Sequence, residues 1–244
     1  MFNRMYRFSS PKWFYSFSER FSRVFGYFAF FALSLGLVFA LVISPPDYQQ
    51  GESVRIMYVH VPSALFSMSC FAFMGVFSLF LLVWRVKLAG LFIKSLAVIG
   101  LGMTLLALIT GSLWGKPMWG SWWVWDARLT AEFILALLYL ATLALEGSFK
   151  QRHIADKAMA IMSLIGLIDL PIIHYSVQWW HTLHQGPTIL KWGTPAIAPS
   201  MLWPLLWMFA AFTAFSIAWV SLRFREGLLH RHAGARWVAA LRAV

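Results

Sequence analysis

Apolar residues run along this chain in six long blocks, separated by shorter stretches that hold most of its charges. The blocks cover residues 25–43, 61–84, 93–113, 129–145, 158–176 and 202–222. Each is close to the roughly 20 predominantly apolar residues that a helix needs to cross the hydrocarbon core of a bilayer. The pattern therefore predicts an all-α integral membrane protein of six transmembrane helices, forming one domain over residues 1–244. No stretch between the blocks is large enough for a soluble domain, and no internal repeat or low-complexity tract breaks the series. The first block exceeds the roughly 7–15 residues of a signal-peptide apolar region. It runs into Ser44-Pro45-Pro46-Asp47, which is no small-x-small cleavage site, so it is expected to remain as an anchor. Before it, Lys12 to Phe17 mixes aromatics with nearby Arg20 and Arg23. An interfacial segment and an unstructured basic tail both fit that stretch.

Composition supports the membrane reading. Hydrophobic residues make up 60% of the chain and charged residues 12%, about half the charged fraction usual in soluble domains. The formal net charge is +11, which in a soluble protein would point to nucleic acid. Here the cations lie between apolar blocks, so they record orientation and no nucleic-acid partner is expected. Alternating the six spans puts sixteen Lys and Arg residues on the side of the two termini and four (Arg55, Lys116, Arg128, Lys191) on the other. Positive charge accumulates on the cytoplasmic side, so both termini are expected in the cytoplasm. Segments 44–60, 114–128 and 177–201 then face outward. The single cysteine, Cys70, excludes an intrachain disulfide, a cysteine-held iron–sulfur cluster and a Cys-x-x-Cys-His attachment of haem.

The outer segments hold Trp114, Trp119, Trp122, Trp123, Trp125, Trp179, Trp180 and Trp192, eight of the chain's 14 tryptophans. Tryptophan favours the membrane interface, and that preference accounts for one or two per helix end. It does not account for five indoles in the twelve positions from Trp114 to Trp125, interrupted by Gly115, Pro117 and Gly120. Each indole offers roughly 150–250 Å² of surface, and such a cluster left in water marks a binding site. The glycines let backbone approach a flat guest closely. The cluster reads as a platform for a large planar aromatic ligand.

Four histidines, His60, His174, His181 and His184, lie on or near the same side. Haem iron is one group that imidazoles hold, and spacing does not choose among the four. His60 stands just before Val61-Pro62, with the proline expected in the first turn of the second span. A zinc site on His181 and His184 lacks an evident third ligand. His174, three residues after Pro171, fits a residue that satisfies backbone groups freed by the proline. Asp126 fits the cap of the fourth helix, and Arg128 and Glu132 are spaced to pair with each other. Arg55 and Arg128 are also candidates for the two haem propionates, since guanidinium pairs well with carboxylate. Asp169 lies inside the fifth span, where an ionisable residue is costly and a function is the default expectation. Pro171 is the expected source of a bend beside it.

The string Trp114-Gly115-Lys116-Pro117-Met118-Trp119-Gly120-Ser121-Trp122-Trp123-Val124-Trp125-Asp126-Ala127-Arg128 resembles the WWD signature of haem-handling proteins in cytochrome c maturation. Its flanks, Asp47-Tyr48-Gln49-Gln50-Gly51, Tyr58-Val59-His60-Val61-Pro62, Leu170-Pro171-Ile172-Ile173-His174 and Thr182-Leu183-His184-Gln185-Gly186, are similar to those of the CcmC (haem exporter protein C) family. The likeness runs from about Asp47 to Gly186 and fades in both tails. It implies that haem b sits non-covalently against the tryptophans at the periplasmic face of a bacterial inner membrane. His60 and His184 would be the axial ligands, with the loop of Trp114, Trp119, Trp122, Trp123, Trp125 and Asp126 against the haem; Arg128 and Arg55 remain candidates for its propionates on their charge alone. The resemblance further implies delivery of haem to the chaperone CcmE, in company with the transporter subunits CcmA and CcmB and with CcmD. Asp47 and Gln50 are candidates for docking the chaperone. No nucleophile–base pair and no phosphate-binding glycine loop is legible, so a transport and delivery protein is expected rather than an enzyme. The competing classes are a haem lyase acting on apocytochrome c and a bis-histidine cytochrome b-type electron carrier. Proteins of the first class have more spans, and those of the second place histidine pairs at membrane depth.

Overall fold

A computed structural model of the chain describes residues 10–186, 194 and 196–242. Among them the regular structure is helical, apart from one isolated bridge between Asp47 and Gly51. The long helices are α1 (Pro11–Val38), α2 (Met57–Leu82), α3 (Ala89–Trp119), α4 (Ala127–Ser148), α5 (Arg152–Gly166), α6 (Asp169–Trp179) and α7 (Pro199–Arg231); a short α8 (Arg236–Arg242) follows. With α5 and α6 taken as one broken span, six segments are long and apolar enough to cross a membrane. The chain is a multi-pass membrane protein.

The helices start and stop where the chain chemistry requires it. Pro11 opens α1 at its first turn, where a missing N–H costs nothing. A π-turn at Phe39–Ile43 carries the helix on to Ser44, whose ψ of 131° is the extended conformation demanded of a residue before proline. The segment from Lys12 to Phe17 is therefore neither a tail nor a separate interfacial helix. It is the first part of α1, packed on α7 through Phe14 and Phe224, whose ring centroids are 5.9 Å apart.

Three boundaries differ from those read off hydropathy. A 3-10 turn at Glu52–Ile56 feeds directly into α2 at Met57, so Pro62 lies inside the helix rather than in its opening turn. The helix α3 continues through Trp114 and Trp119 despite Gly115 and Pro117. It stops only at Gly120, which takes the left-handed conformation (φ 76°) and bonds its N–H to the Lys116 carbonyl at 3.1 Å. In the fifth span the break falls at Leu167–Ile168, before Pro171, which occupies the first turn of α6 where its absent N–H is not needed.

The bundle forms around two antiparallel pairs, α1 with α7 and α2 with α3, joined by contacts of α7 with α2 and α3. The helices α4 and α5 close the other side, and α6 leans on α4. Tyr58, Phe71, Met74, Ile93, Tyr139, Leu205 and Met208 are fully buried between them. In lipid there is little hydrophobic drive between helices, so close packing of small residues and internal hydrogen bonds carry the association. Tyr139 illustrates both. Its hydroxyl donates to the Ser67 carbonyl at 2.6 Å, and its ring lies on Gly100 so tightly that no side chain fits there.

Gly100→Leu is therefore expected to lower the thermal unfolding temperature of the detergent-solubilised protein, because overpacking a tight contact costs about 1–3 kcal/mol. Gly102→Leu, at a position with nothing within 4 Å, should leave it unchanged. Equal melting of the two variants would show that this contact does not limit the bundle.

Candidate functional site

The tryptophan string spans two kinds of structure. Trp114 and Trp119 are on the last turns of α3, while Trp122, Trp123 and Trp125 follow the Gly120 turn in the extended stretch before α4. The two sets do different things. Trp122, Trp123 and Trp125, with Phe133, Ile109 and Leu113, line an apolar cavity of about 570 Å³. Trp123 meets Trp125 edge-on at 5.3 Å, and Lys116 lies 5.9 Å over the Trp122 ring. Among the described residues the buried Trp123 indole N–H has no hydrogen-bond partner. Trp114 and Trp119 turn instead to the histidines.

His60 stands four residues into α2 and is half-buried against α3. Its Nδ1 is 3.1 Å from the Ala107 carbonyl and 3.1 Å from the Thr110 hydroxyl. A carbonyl only accepts, so Nδ1 carries the proton and donates to it, and Nε2 keeps its lone pair. Among the described residues nothing bonds to that Nε2. Gly111 makes the approach possible, since a Cβ there would lie 3.1 Å from the imidazole Cε1. Trp114 closes one side of the ring, edge-on at 5.6 Å.

His184 reaches the same place from the segment after α6. Its Nδ1 donates to Asp126 Oδ2 at 3.1 Å, and Trp119 packs edge-on at 4.9 Å. Asp126 is itself fixed three ways: Oδ1 accepts the Leu129 N–H at 2.8 Å, capping α4, and Oδ2 also accepts the Leu183 N–H at 3.4 Å. Burial disfavours the charged carboxylate, but the hydrogen bonds from His184, Leu129 and Leu183 outweigh it and hold Asp126 below its usual pKa. The two imidazoles lie in the same neighbourhood. Each has Nδ1 committed to a protein acceptor.

The neighbouring segments brace this arrangement. Asp47 Oδ1 accepts the N–H groups of Gln49 and Gln50, both at 2.9 Å, in a tight turn closed by Gly51 at φ 57°. Gln50 then accepts the Trp114 indole N–H at 3.0 Å. Arg55 pairs with Glu52 and donates to the Ala40 carbonyl at 2.8 Å. Arg128 does not pair with Glu132. It donates to the Ser176 hydroxyl at 3.1 Å and the His174 carbonyl at 3.4 Å, while Glu132 accepts the Ser67 hydroxyl at 2.7 Å. Facing helices offered nearer partners than the next turn of α4.

Of the four histidines, His174 and His181 are exposed and stand apart from this pair. The His174 ring contacts Tyr175 edge-on at 4.7 Å, and the bond that pins its segment is made by its carbonyl to Arg128. No group of three or more metal-binding side chains occurs among the described residues. Trp192 and Lys191 lie outside the described residues. The sequence reading missed Ala107, Thr110 and Gly111, which together seat His60. A small residue beside a threonine one helical face from the tryptophans was the only available signal. Asp169 and Glu132 are both buried, and among the described residues one carboxylate oxygen of Asp169 has no hydrogen-bond partner.

Comparison with known proteins bears on the whole chain. The sequence model of the family described as heme exporter protein C matches residues 4–239. A protein of Haemophilus influenzae named heme exporter protein C is 44% identical over 241 residues, covering 99% of this chain and 98% of that one. Its namesake in Escherichia coli is 46% identical over 209 residues, 86% of this chain and 84% of that protein. A Marchantia polymorpha mitochondrial protein, described as ccmC-like and assigned to cytochrome c biosynthesis, is 41% identical over 219 residues, 90% of this chain and 93% of its own. Matched from end to end by the family's sequence model and by full-length relatives, this chain belongs to the heme exporter protein C family, CcmC.

Proposed function

We propose that this protein handles haem for cytochrome c maturation, binding haem b non-covalently between His60 and His184 as axial ligands. The observation that carries the reading is the matched state of the two imidazoles. Each donates Nδ1–H to a fixed acceptor, which leaves Nε2 as the free lone pair. Metal-ligating histidines nearly always show this arrangement, with the second nitrogen hydrogen-bonded to a carbonyl or a carboxylate. Trp114 and Trp119 flank the imidazoles, and Trp122, Trp123 and Trp125 extend the apolar wall beyond them. Arg55 and Arg128, each with one guanidinium nitrogen uncommitted among the described residues, serve the propionates.

The charge split supports an orientation, and membership of the family supports a set of partners. The tryptophan end faces the periplasm of a bacterial inner membrane, and both termini lie in the cytoplasm. Haem passes from this site to CcmE, with CcmA, CcmB and CcmD as the associated transporter subunits. The protein itself delivers rather than catalyses. The Asp47–Gln50 turn is the docking element for the chaperone: it projects Tyr48, 90% exposed, beside the turn's bond to Trp114.

The axial assignment is tested by the absorbance of purified variants. His60→Ala and His184→Ala should each lose most of the haem Soret band, and His181→Ala should keep it. Full haem content with an unchanged spectrum in the double alanine variant would exclude these ligands.

Asp126 should tune the bound iron through His184. Asp126→Asn keeps an acceptor for Nδ1–H but removes its charge. The expected result is a rise in the haem reduction potential and a loss of about 10–100-fold in ferric haem affinity, with a bis-histidine spectrum retained. Because the folded pKa of Asp126 is depressed, its contribution is complete above the ordinary aspartate value of 3.8. It is lost only as pH falls through the lower folded value. Asp126 should thus stay charged between about pH 5 and pH 8, and the potentials of the two proteins are to be compared in that window. A potential identical in the two proteins would mean that the carboxylate does not act on the iron.

A further inference from the structure

At the end of the bundle remote from the tryptophans, a pocket of about 410 Å³ opens between the ends of α3, α4, α5 and α7. Lys94 in its wall and Trp114 at the other site are twenty residues apart on one helix, which at 1.5 Å per residue is about 30 Å. That is the thickness of a bilayer core, so this pocket opens at the opposite membrane face.

Its charges are arranged with a surplus. Three acids line it, and each is already held: Glu146 by Lys94 at 2.7 Å, Asp156 by Arg231 at 2.6 Å, and Glu226 by Arg223 at 2.7 Å. The Asp156–Arg231 pair is largely buried, with the two side chains 11% and 17% exposed, and Arg231 also donates to the Lys87 carbonyl at 3.1 Å. Gly90 gives Asp156 its room, since a Cβ there would stand 2.5 Å from the carboxylate carbon. Two further cations, Lys150 and Arg152, line the pocket and make no ion pair among the described residues. The wall thus has its acids neutralised and two positive groups left over. Leu91 and Phe149 form its apolar part, and Phe149 is 40% exposed.

We infer that this pocket binds the phosphodiester headgroup of an anionic membrane lipid, with Lys150 and Arg152 as its charge partners. Basic pockets between transmembrane helices at this level suit such headgroups. A phosphodiester brings the negative charge that the two free cations lack, and Phe149 gives its acyl chains a path to the lipid-facing surface. The volume is within the range of small-molecule sites. The ion pairs across α3–α4 and α5–α7 tie the walls to one another without consuming the two cations.

The test uses the full chain, stripped of lipid by prolonged detergent washing and titrated with phosphatidylglycerol, phosphatidylcholine or inorganic phosphate. Binding is read by native mass spectrometry and by thermal unfolding. Phosphatidylglycerol should bind and stabilise, and phosphatidylcholine should not. K150Q/R152Q should weaken phosphatidylglycerol by about fivefold per cation removed, without changing the haem Soret band. Both side chains are exposed, and R152Q alone serves should the double variant fold poorly. Equal binding of phosphatidylcholine, or undiminished phosphatidylglycerol binding by the variant, overturns the inference. Stabilisation by inorganic phosphate equal to that by lipid would assign the pocket to a free anion and overturn the lipid assignment.

Discussion

The Asp126 carboxylate is the pin on which this end of the molecule turns. One oxygen caps α4, and the other gathers the Leu183 N–H and the His184 imidazole. Two segments 57 positions apart in sequence are joined by one side chain. A carboxylate can do this because it offers about four acceptor sites and no donor, so each additional N–H strengthens its preference for the charged form. The depressed pKa is the signature of that convergence. Without it, the segment after α6 makes no hydrogen bond to the α3–α4 connection among the described residues, and the His184 imidazole loses the acceptor that aims it.

His60 is held by the opposite logic. Its position comes from helix packing, with Gly111 clearing space and a carbonyl of α3 receiving its proton. That carbonyl belongs to Ala107, and its helical partner N–H is that of Gly111, four residues on. Inside a membrane a bond of this kind exchanges with nothing, so it is stiffer than the same bond in water. One imidazole therefore stands on the rigid bundle and the other on a loop tied by a charge. The two imidazoles thus depend on different supports, one on helix packing and one on a single carboxylate.

The class of the protein was legible in the sequence because six apolar blocks admit few alternatives once backbone groups must be satisfied in lipid. The tryptophan excess was legible for a related reason, since the interface alone does not recruit five indoles to twelve positions. Helix boundaries were less so. Hydropathy placed the end of α3 at residue 113, yet the helix runs to Trp119, because indoles and a lysine are tolerated on a helix that emerges at the headgroups. Pro117 does not stop it so near its end. The cap by Asp126 was readable from position, whereas its second bond to His184 was not, since nothing local records a contact across 58 residues. The expected Arg128–Glu132 pair failed for the same reason: spacing along one helix says nothing about Ser67 and Ser176 waiting on its neighbours.

The tryptophans then divide by what precedes them. Up to Gly120 they ride a helix and turn toward the histidines; after it they lie in extended chain and surround the apolar cavity beside Phe133. Gly120 is the hinge between these roles, since only a residue at ease with positive φ can end α3 and redirect the chain in one step. Extended chain at membrane depth is tolerable only where its polar groups are covered. The Ser121 hydroxyl serves the Trp123 backbone at both its N–H and its carbonyl. The lining that Trp122, Trp123, Trp125 and Phe133 give the apolar region is chiefly hydrocarbon and π-face. A flat, largely apolar guest with a polar edge suits such a wall, because its faces cost nothing to desolvate there and its edge can remain at the interface.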